Sequence, residues 1–129
     1  MGAVERLREL GAGREILGDP APREKDGLRA SPANATLSPE ERAAAPALFR
    51  ALLAGQLVFG LGEKKPAKIL KAVRLALDME PRLSIEAFEV VDAQTLRPVG
   101  KLSGAAILIV AAWAGKTLLA DSIRFEPAD

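Results

Sequence analysis

The stretch Asp26-Gly27-Leu28-Arg29-Ala30-Ser31-Pro32-Ala33-Asn34 gathers a carboxylate, a guanidinium, a hydroxyl and an amide into a loop where folding alone has little use for them. The rest of the chain limits the chemistry they could join. There is no histidine and no cysteine. That removes thiol nucleophiles, imidazole bases, disulfides and nearly all zinc sites. Carboxylates, Lys, Arg, Ser and Thr remain. Asp78, Glu80, Glu86 and Glu89 offer an acid/base pair in principle, but the sequence shows no pocket around them and they read as solvated side chains. Ser31 and Asn34 also have a plain role available, because both residue types hydrogen-bond local backbone in turns.

Two phosphate-loop lookalikes fail on spacing and context. Gly115-Lys116-Thr117 resembles the end of a Walker A loop, but Val110 stands where that motif needs glycine and the segment joins strands. Gly11-Ala12-Gly13 could open a dinucleotide fingerprint, but Ile16 stands at its third glycine and the order is helix then strand. It reads as a helix C-cap.

The 129 residues are enough for one core. Hydrophobic residues make up 49% and aromatics 4%, so that core is aliphatic. The net charge of +1 and the scattered basic residues exclude an electrostatic nucleic-acid surface. No signal peptide is expected, since Met1–Gly13 is charged. The apolar run Ala105–Gly115 is too short to span a bilayer and reads as a buried strand. A cytoplasmic protein that binds no membrane is the expectation. Trp113, the single tryptophan, reads as core or edge packing.

The loop needs elements to hold it. Val4, Leu7 and Leu10 lie on one helical face closed by Gly11 and Gly13, and Arg14–Gly18 reads as a short strand ended by Asp19-Pro20-Ala21-Pro22. Ser38, Pro39 and Glu41 carry a capping box and a first-turn proline, so a helix is predicted from there to about Val58, with Leu48, Phe49, Leu52 and Leu53 inward. Pro66–Met79 is a second helix, with Ile69, Leu70, Val73 and Leu77 in register. Ile85–Val91, Ala106–Trp113 and Thr117–Ile123 read as strands, the last two joined by a tight hairpin. The predicted class is α+β: two helices on a small, about three-stranded antiparallel sheet, preceded by a helix–strand unit.

Larger patterns then carry a resemblance. Arg23-Glu24-Lys25-Asp26-Gly27-Leu28, Ser31, Asn34 and Leu37-Ser38-Pro39-Glu40-Glu41-Arg42 resemble the motif R-E-x-D-G-L-x-x-S-S-R-N-x-x-L-S-P-E-E-R. Phe88-Glu89-Val90-Val91-Asp92 with Thr95-Leu96, and Gly115-Lys116-Thr117 with Leu119 and Asp121, are similar to the closing segments of the same family, the pantothenate synthetases or pantoate–β-alanine ligases. The match runs through most of residues 14–129, and only about 57–80 looks atypical.

The resemblance implies a C-terminal lid over residues 23–129, and over residues 1–22 the end of a Rossmann-like nucleotidyl-transferase domain. The H-x-G-H motif of that larger domain is not in this sequence. The family joins pantoate to β-alanine with ATP and magnesium through a pantoyl-adenylate. Its S-S-R tripeptide holds the ATP phosphates. By resemblance the phosphate loop here comprises Asp26, Gly27, Arg29, Ser31 and Asn34, with no confident catalytic residue and no metal ligand. Ser31 is kept, but Pro32 has neither hydroxyl nor N–H and Ala33 has no charge. Arg29, four residues before Ala33, is another possible source of that charge. Trp113 and Ser122 stand where the family commonly has a basic residue and Asn.

The expectation is a chain inactive alone, paired with an N-terminal nucleotidyl-transferase half. The alternative is a catalytically degenerate interaction or homodimer module. The sequence leaves open a natural split protein, a degenerate paralogue or a piece of a longer ligase.

Overall fold

Ser38 starts its helix as its neighbours require. In the computed structural model, which describes residues 2–126, the Glu41 N–H donates to Ser38 Oγ at 3.1 Å and the Ser38 N–H donates to Glu41 Oε1 at 2.8 Å. This reciprocal box opens the helix's first turn, with Pro39 at a position whose N–H would have no partner. In chain order the helices are α1 (Ala3–Glu9), α2 (Pro39–Ala44), α3 (Ala47–Gly60) and α4 (Pro66–Asp78). Ser38→Ala removes the cap and is expected to cost about 0.5–2 kcal/mol, read as a lowered denaturation midpoint. An unchanged midpoint would show that the box contributes nothing here.

The helix expected from Ser38 to Val58 is two helices, α2 and α3. Pro46 has no N–H to give to the preceding turn, so the ladder breaks there. Ala45 and Pro46 keep helical dihedrals, and the path bends rather than ends. On α3, Leu48, Ala51, Leu52 and Gly55 are buried. Leu53, expected inward, is 41% exposed, because the buried stripe follows Leu48 and Leu52 and leaves Leu53 beside it. Gly55 lets α3 approach the sheet: a Cβ there would sit 2.6 Å from Leu108. On α4, Ile69, Val73 and Leu77 face inward. Taken together, Pro39–Gly60 is long and apolar enough to cross a membrane. Here its apolar face instead forms one layer of a globular core.

The sheet has three antiparallel strands in the order β1 (Leu83–Asp92), β2 (Ala106–Ala114) and β3 (Thr117–Phe125). β1 pairs with β2 from Leu83↔Ala114 to Asp92↔Ala106, with a bulge between Ile85 and Ala87. β2 pairs with β3 from Ala106↔Phe125 to Ala114↔Thr117, so Gly115-Lys116 is a two-residue hairpin turn. Gly115 has φ +62°, as that turn requires.

β2 is apolar on both faces because both faces are covered. Leu108, Val110, Ala112 and Ala114 pack under α3 and α4. Ile107, Ile109 and Ala111 meet Val4, Leu7, Ala12 and Ile16 on the other side. α1 ends as expected: Gly11 has φ +83°, the Gly11 N–H donates to Arg8 O, and the Ala12 N–H donates to Leu7 O at 2.8 Å.

Arg14–Gly18 is not a strand. It is a run of turns with no ladder partner among the described residues. Two bonds to one hydroxyl replace the ladder. The Gly18 N–H donates to Ser122 Oγ at 2.9 Å, and that hydroxyl donates to Glu15 O at 2.7 Å. Ile16, 1% exposed, anchors the segment beneath the sheet. Residues 3–18 therefore form a third layer on the sheet of residues 83–125.

Candidate functional site

The junction loop is a miniature hairpin. The Glu24 N–H donates to Leu28 O, the Gly27 N–H to Glu24 O and the Ala30 N–H to Pro22 O, each at 2.8 or 2.9 Å. Its tip needs Gly27, whose φ is +93° and whose missing Cβ would lie 2.0 Å from the Phe49 ring. Arg23 stacks on that ring at 4.5 Å. Asp26 binds Arg42 through two contacts of 2.7 and 3.2 Å, tying the tip to α2. The Arg42 guanidinium holds the Asp26 carboxyl below the usual carboxylate range, with the Leu28 N–H helping.

Beyond the hairpin the chain makes a 3₁₀ turn over Pro32–Thr36. Ser31 caps it, with Oγ accepting from the Ala33 N–H at 3.3 Å. Asn34 Nδ2 donates to Arg29 O at 2.9 Å and pins the turn against the hairpin. The Thr36 hydroxyl meets the Thr117 hydroxyl at 2.8 Å, joining the turn to the start of β3.

These elements enclose a cavity of about 430 Å³. One wall is the 3₁₀ turn, with Arg29, Ser31, Ala33 and Asn34. Another is the end of β2 and the start of β3, with Trp113, Lys116 and Thr117. The third is the segment after α1, including Glu15.

Behind the loop lies an ion cluster. Asp121 on β3 is 1% exposed. It takes two bonds from Arg23, at 2.5 and 3.0 Å, and one from the Ser122 N–H at 2.8 Å. Arg29 Nη1 lies 3.6 Å from the same carboxylate, too far for a hydrogen bond.

Of the five residues singled out in the loop, the structure brings three, Arg29, Ser31 and Asn34, to the cavity wall. Asp26 and Gly27 lie outside it and shape the hairpin tip. The side chains of Ser31 and Asn34 already serve the turn, as their residue types allow. Sequence reasoning did not place Glu15, Thr36, Trp113, Lys116 or Thr117 at the site. For Lys116 and Thr117 the signal was the hairpin motif itself, whose tip the fold turns toward the loop. Trp113 donates from Nε1 to Glu86 Oε1 at 3.2 Å, and that bond, with Arg6, draws the Glu86 carboxyl downward.

Comparisons with known proteins agree with this geometry. The family model described as Pantoate-beta-alanine ligase matches residues 4–124. The pantothenate synthetase of Moorella thermoacetica is 36% identical over 95% of this chain, and that of Thermotoga neapolitana is 40% identical over 90%. The crystal structure of the Thermus thermophilus pantothenate synthetase superposes with a TM-score of 0.80 at 37% identity, over 95% of this chain. The chain spans only 44% of the Moorella relative, 41% of the Thermotoga relative and 44% of the Thermus chain. With the model matching nearly the whole sequence, the chain belongs to the pantoate-beta-alanine ligase family and corresponds to its C-terminal part.

Proposed function

We propose that the chain is the lid of a cytoplasmic pantothenate synthetase, inactive alone and completed by an N-terminal nucleotidyl-transferase half. The complete enzyme would condense pantoate and β-alanine with ATP through a pantoyl-adenylate. Residues 1–22 would then correspond to the end of the Rossmann-like part and residues 23–129 to the lid. The observation that carries this reading is the cavity between the junction loop and the β2–β3 hairpin, whose wall is built from Arg29 and Ser31 on the loop side and Lys116 and Thr117 on the hairpin side.

Such a wall suits phosphate oxygens. Fixed cations and hydroxyl donors stabilise the charge that moves onto pyrophosphate as the adenylate forms. The fit to magnesium is different. Among the described residues no three carboxylates cluster to hold a metal, so in this reading the ion arrives on the nucleotide. The chain's own part is to place cations and hydroxyls and to exclude water.

A second reading rests on Pro32 and Ala33. They remove an N–H, a hydroxyl and a charge that the family's tripeptide supplies, and one lost donor of this kind costs roughly 2.7–4 kcal/mol. On that ground the chain would be a degenerate interaction or homodimer module. Mixing the chain with the N-terminal half of a family relative and measuring pantothenate formation separates the two. The lid reading expects product only from the mixture, and more from the Pro32→Ser/Ala33→Arg variant. A stable but inactive pair that stays inactive with that variant favours the degenerate module. Product from the chain alone would overturn both.

A further inference from the structure

We propose that Arg29 is the anion-binding residue of the cavity, delivering from the hairpin the guanidinium that position 33 lacks. The inference rests on the reading of the cavity as a phosphate site, and it goes further by naming the residue and a ligand class the isolated chain can bind.

The argument begins with an unused donor set. Arg29's side chain is only 16% exposed. It makes no hydrogen bond among the described residues; its Nη1 is buried on the Asp121 side, which leaves the rest of the fork for the cavity that Arg29 lines. A guanidinium has five N–H donors and no way to lose its charge. Its one nearby counter-charge is spoken for: Asp121 is held by Arg23 through both carboxylate oxygens and lies 3.6 Å from Arg29. Two arginines thus share one carboxylate, and Arg29 is the less engaged of the two.

The cavity's remaining charges point the same way. Lys116 adds a second cation to the lining, and Glu15 adds a carboxylate, with Oε2 buried and unpartnered. Two cations against one carboxylate leave the lining net positive. Arg29 and Ala33 line the same cavity, and the bond from Asn34 to Arg29 O fixes the two backbone segments against each other. A guanidinium from either position is therefore delivered to one space. The planar fork of Arg suits two oxygens of one phosphate or carboxylate group, and the neighbouring hydroxyls favour a multi-oxygen anion such as pyrophosphate.

Trp113, the only tryptophan, stands in the cavity wall and reports occupancy. The experiment is a fluorescence titration of the whole chain with inorganic pyrophosphate at constant ionic strength, repeated by calorimetry. Saturable binding is expected. Arg29→Ala should weaken it by roughly tenfold to a hundredfold, the range for losing hydrogen bonds to a charged group. Arg29→Lys should fall between, since it keeps the charge without the fork. Arg29→Ala/Ala33→Arg should recover most of the loss, which a merely structural role of Arg29 would not allow. Glu15→Gln should tighten binding. Arg29→Ala leaves Asp121 its two bonds from Arg23, and circular dichroism checks the fold.

Pyrophosphate binding equal in the parent and Arg29→Ala would overturn the assignment. So would the reverse pattern, with Arg29→Ala tightening and Glu15→Gln weakening, or no binding by the parent at all. Failure of the lid reading shows elsewhere: the mixture with an N-terminal half would make no pantothenate while the pyrophosphate titrations behaved as described.

Discussion

Asp121→Ala is expected to lower the urea midpoint by about 1–3 M, given a loss of roughly 3 kcal/mol or more and a slope of about 1–3 kcal/mol/M. The carboxylate is almost wholly enclosed and neutralises two guanidinia that are themselves mostly buried, at 25% and 16% side-chain exposure. Removing it strands like charges side by side. Breaking a buried pair by deleting one partner typically costs about 3–5 kcal/mol. The partial exposure of Arg23 puts this case toward the lower end. The Ser122 N–H also loses its acceptor. Asp121→Asn keeps shape and one acceptor while losing charge, and should fall between. A midpoint for Asp121→Ala indistinguishable from the parent would mean that water already solvates the cluster and that Asp121 does not hold the loop to β3.

Gly27→Ala should be nearly as damaging, although it adds one carbon. At φ +93° any side chain is strained, at a cost of roughly 1–2 kcal/mol. The new Cβ would also fall 2.0 Å from the Phe49 ring, which cannot move without leaving the Arg23 guanidinium stacked on it. Displacing a packed ring adds roughly 1–3 kcal/mol. The two contributions separate in a double-mutant comparison. In a Phe49→Ala background only the dihedral strain remains, so the same substitution should cost about half as much or less. Equal cost in both backgrounds would remove the ring from the explanation.

The elements whose signals are local were legible. Ser38, Pro39 and Glu41 announce a helix start within four residues, and Pro66 announces another. The unbroken apolar run of β2 implied a strand covered on both sides. What failed depended on distant partners. Arg14–Gly18 looks like a strand because Ile16 and Leu17 are apolar, yet its backbone bonds go to Ser122, more than 100 residues away. Pro46 was a visible breaker, but the apolar spacing runs across it and masks the break. The cavity was half readable. Its loop wall carries a motif, whereas Glu15 comes from the turns after α1 and Trp113 and Lys116 from the β2–β3 hairpin, with no spacing in sequence that links either segment to the loop. The distinction between Asp26 and Gly27, which shape the tip, and Arg29, which faces the cavity, needed the fold of the hairpin.

The third layer also sets an order of assembly. α3 and α4 are joined by five residues, β2 and β3 by two, and β1 meets β2 across thirteen, all far shorter than the reach from residues 3–18 to β3, so they can close early. Residues 3–18 bind β3 across sequence separations of 104 and 107, and the entropy of closing so long a loop is recovered only once the sheet exists. That segment is therefore expected to dock last and open first. Native-state hydrogen exchange should show amides 4–18 opening at lower free energy than those of β2, and equal protection would refute the order. Because Glu15 belongs to one wall of the cavity, the anion site would then be the last part of the molecule to form, and the first to be lost as the fold loosens.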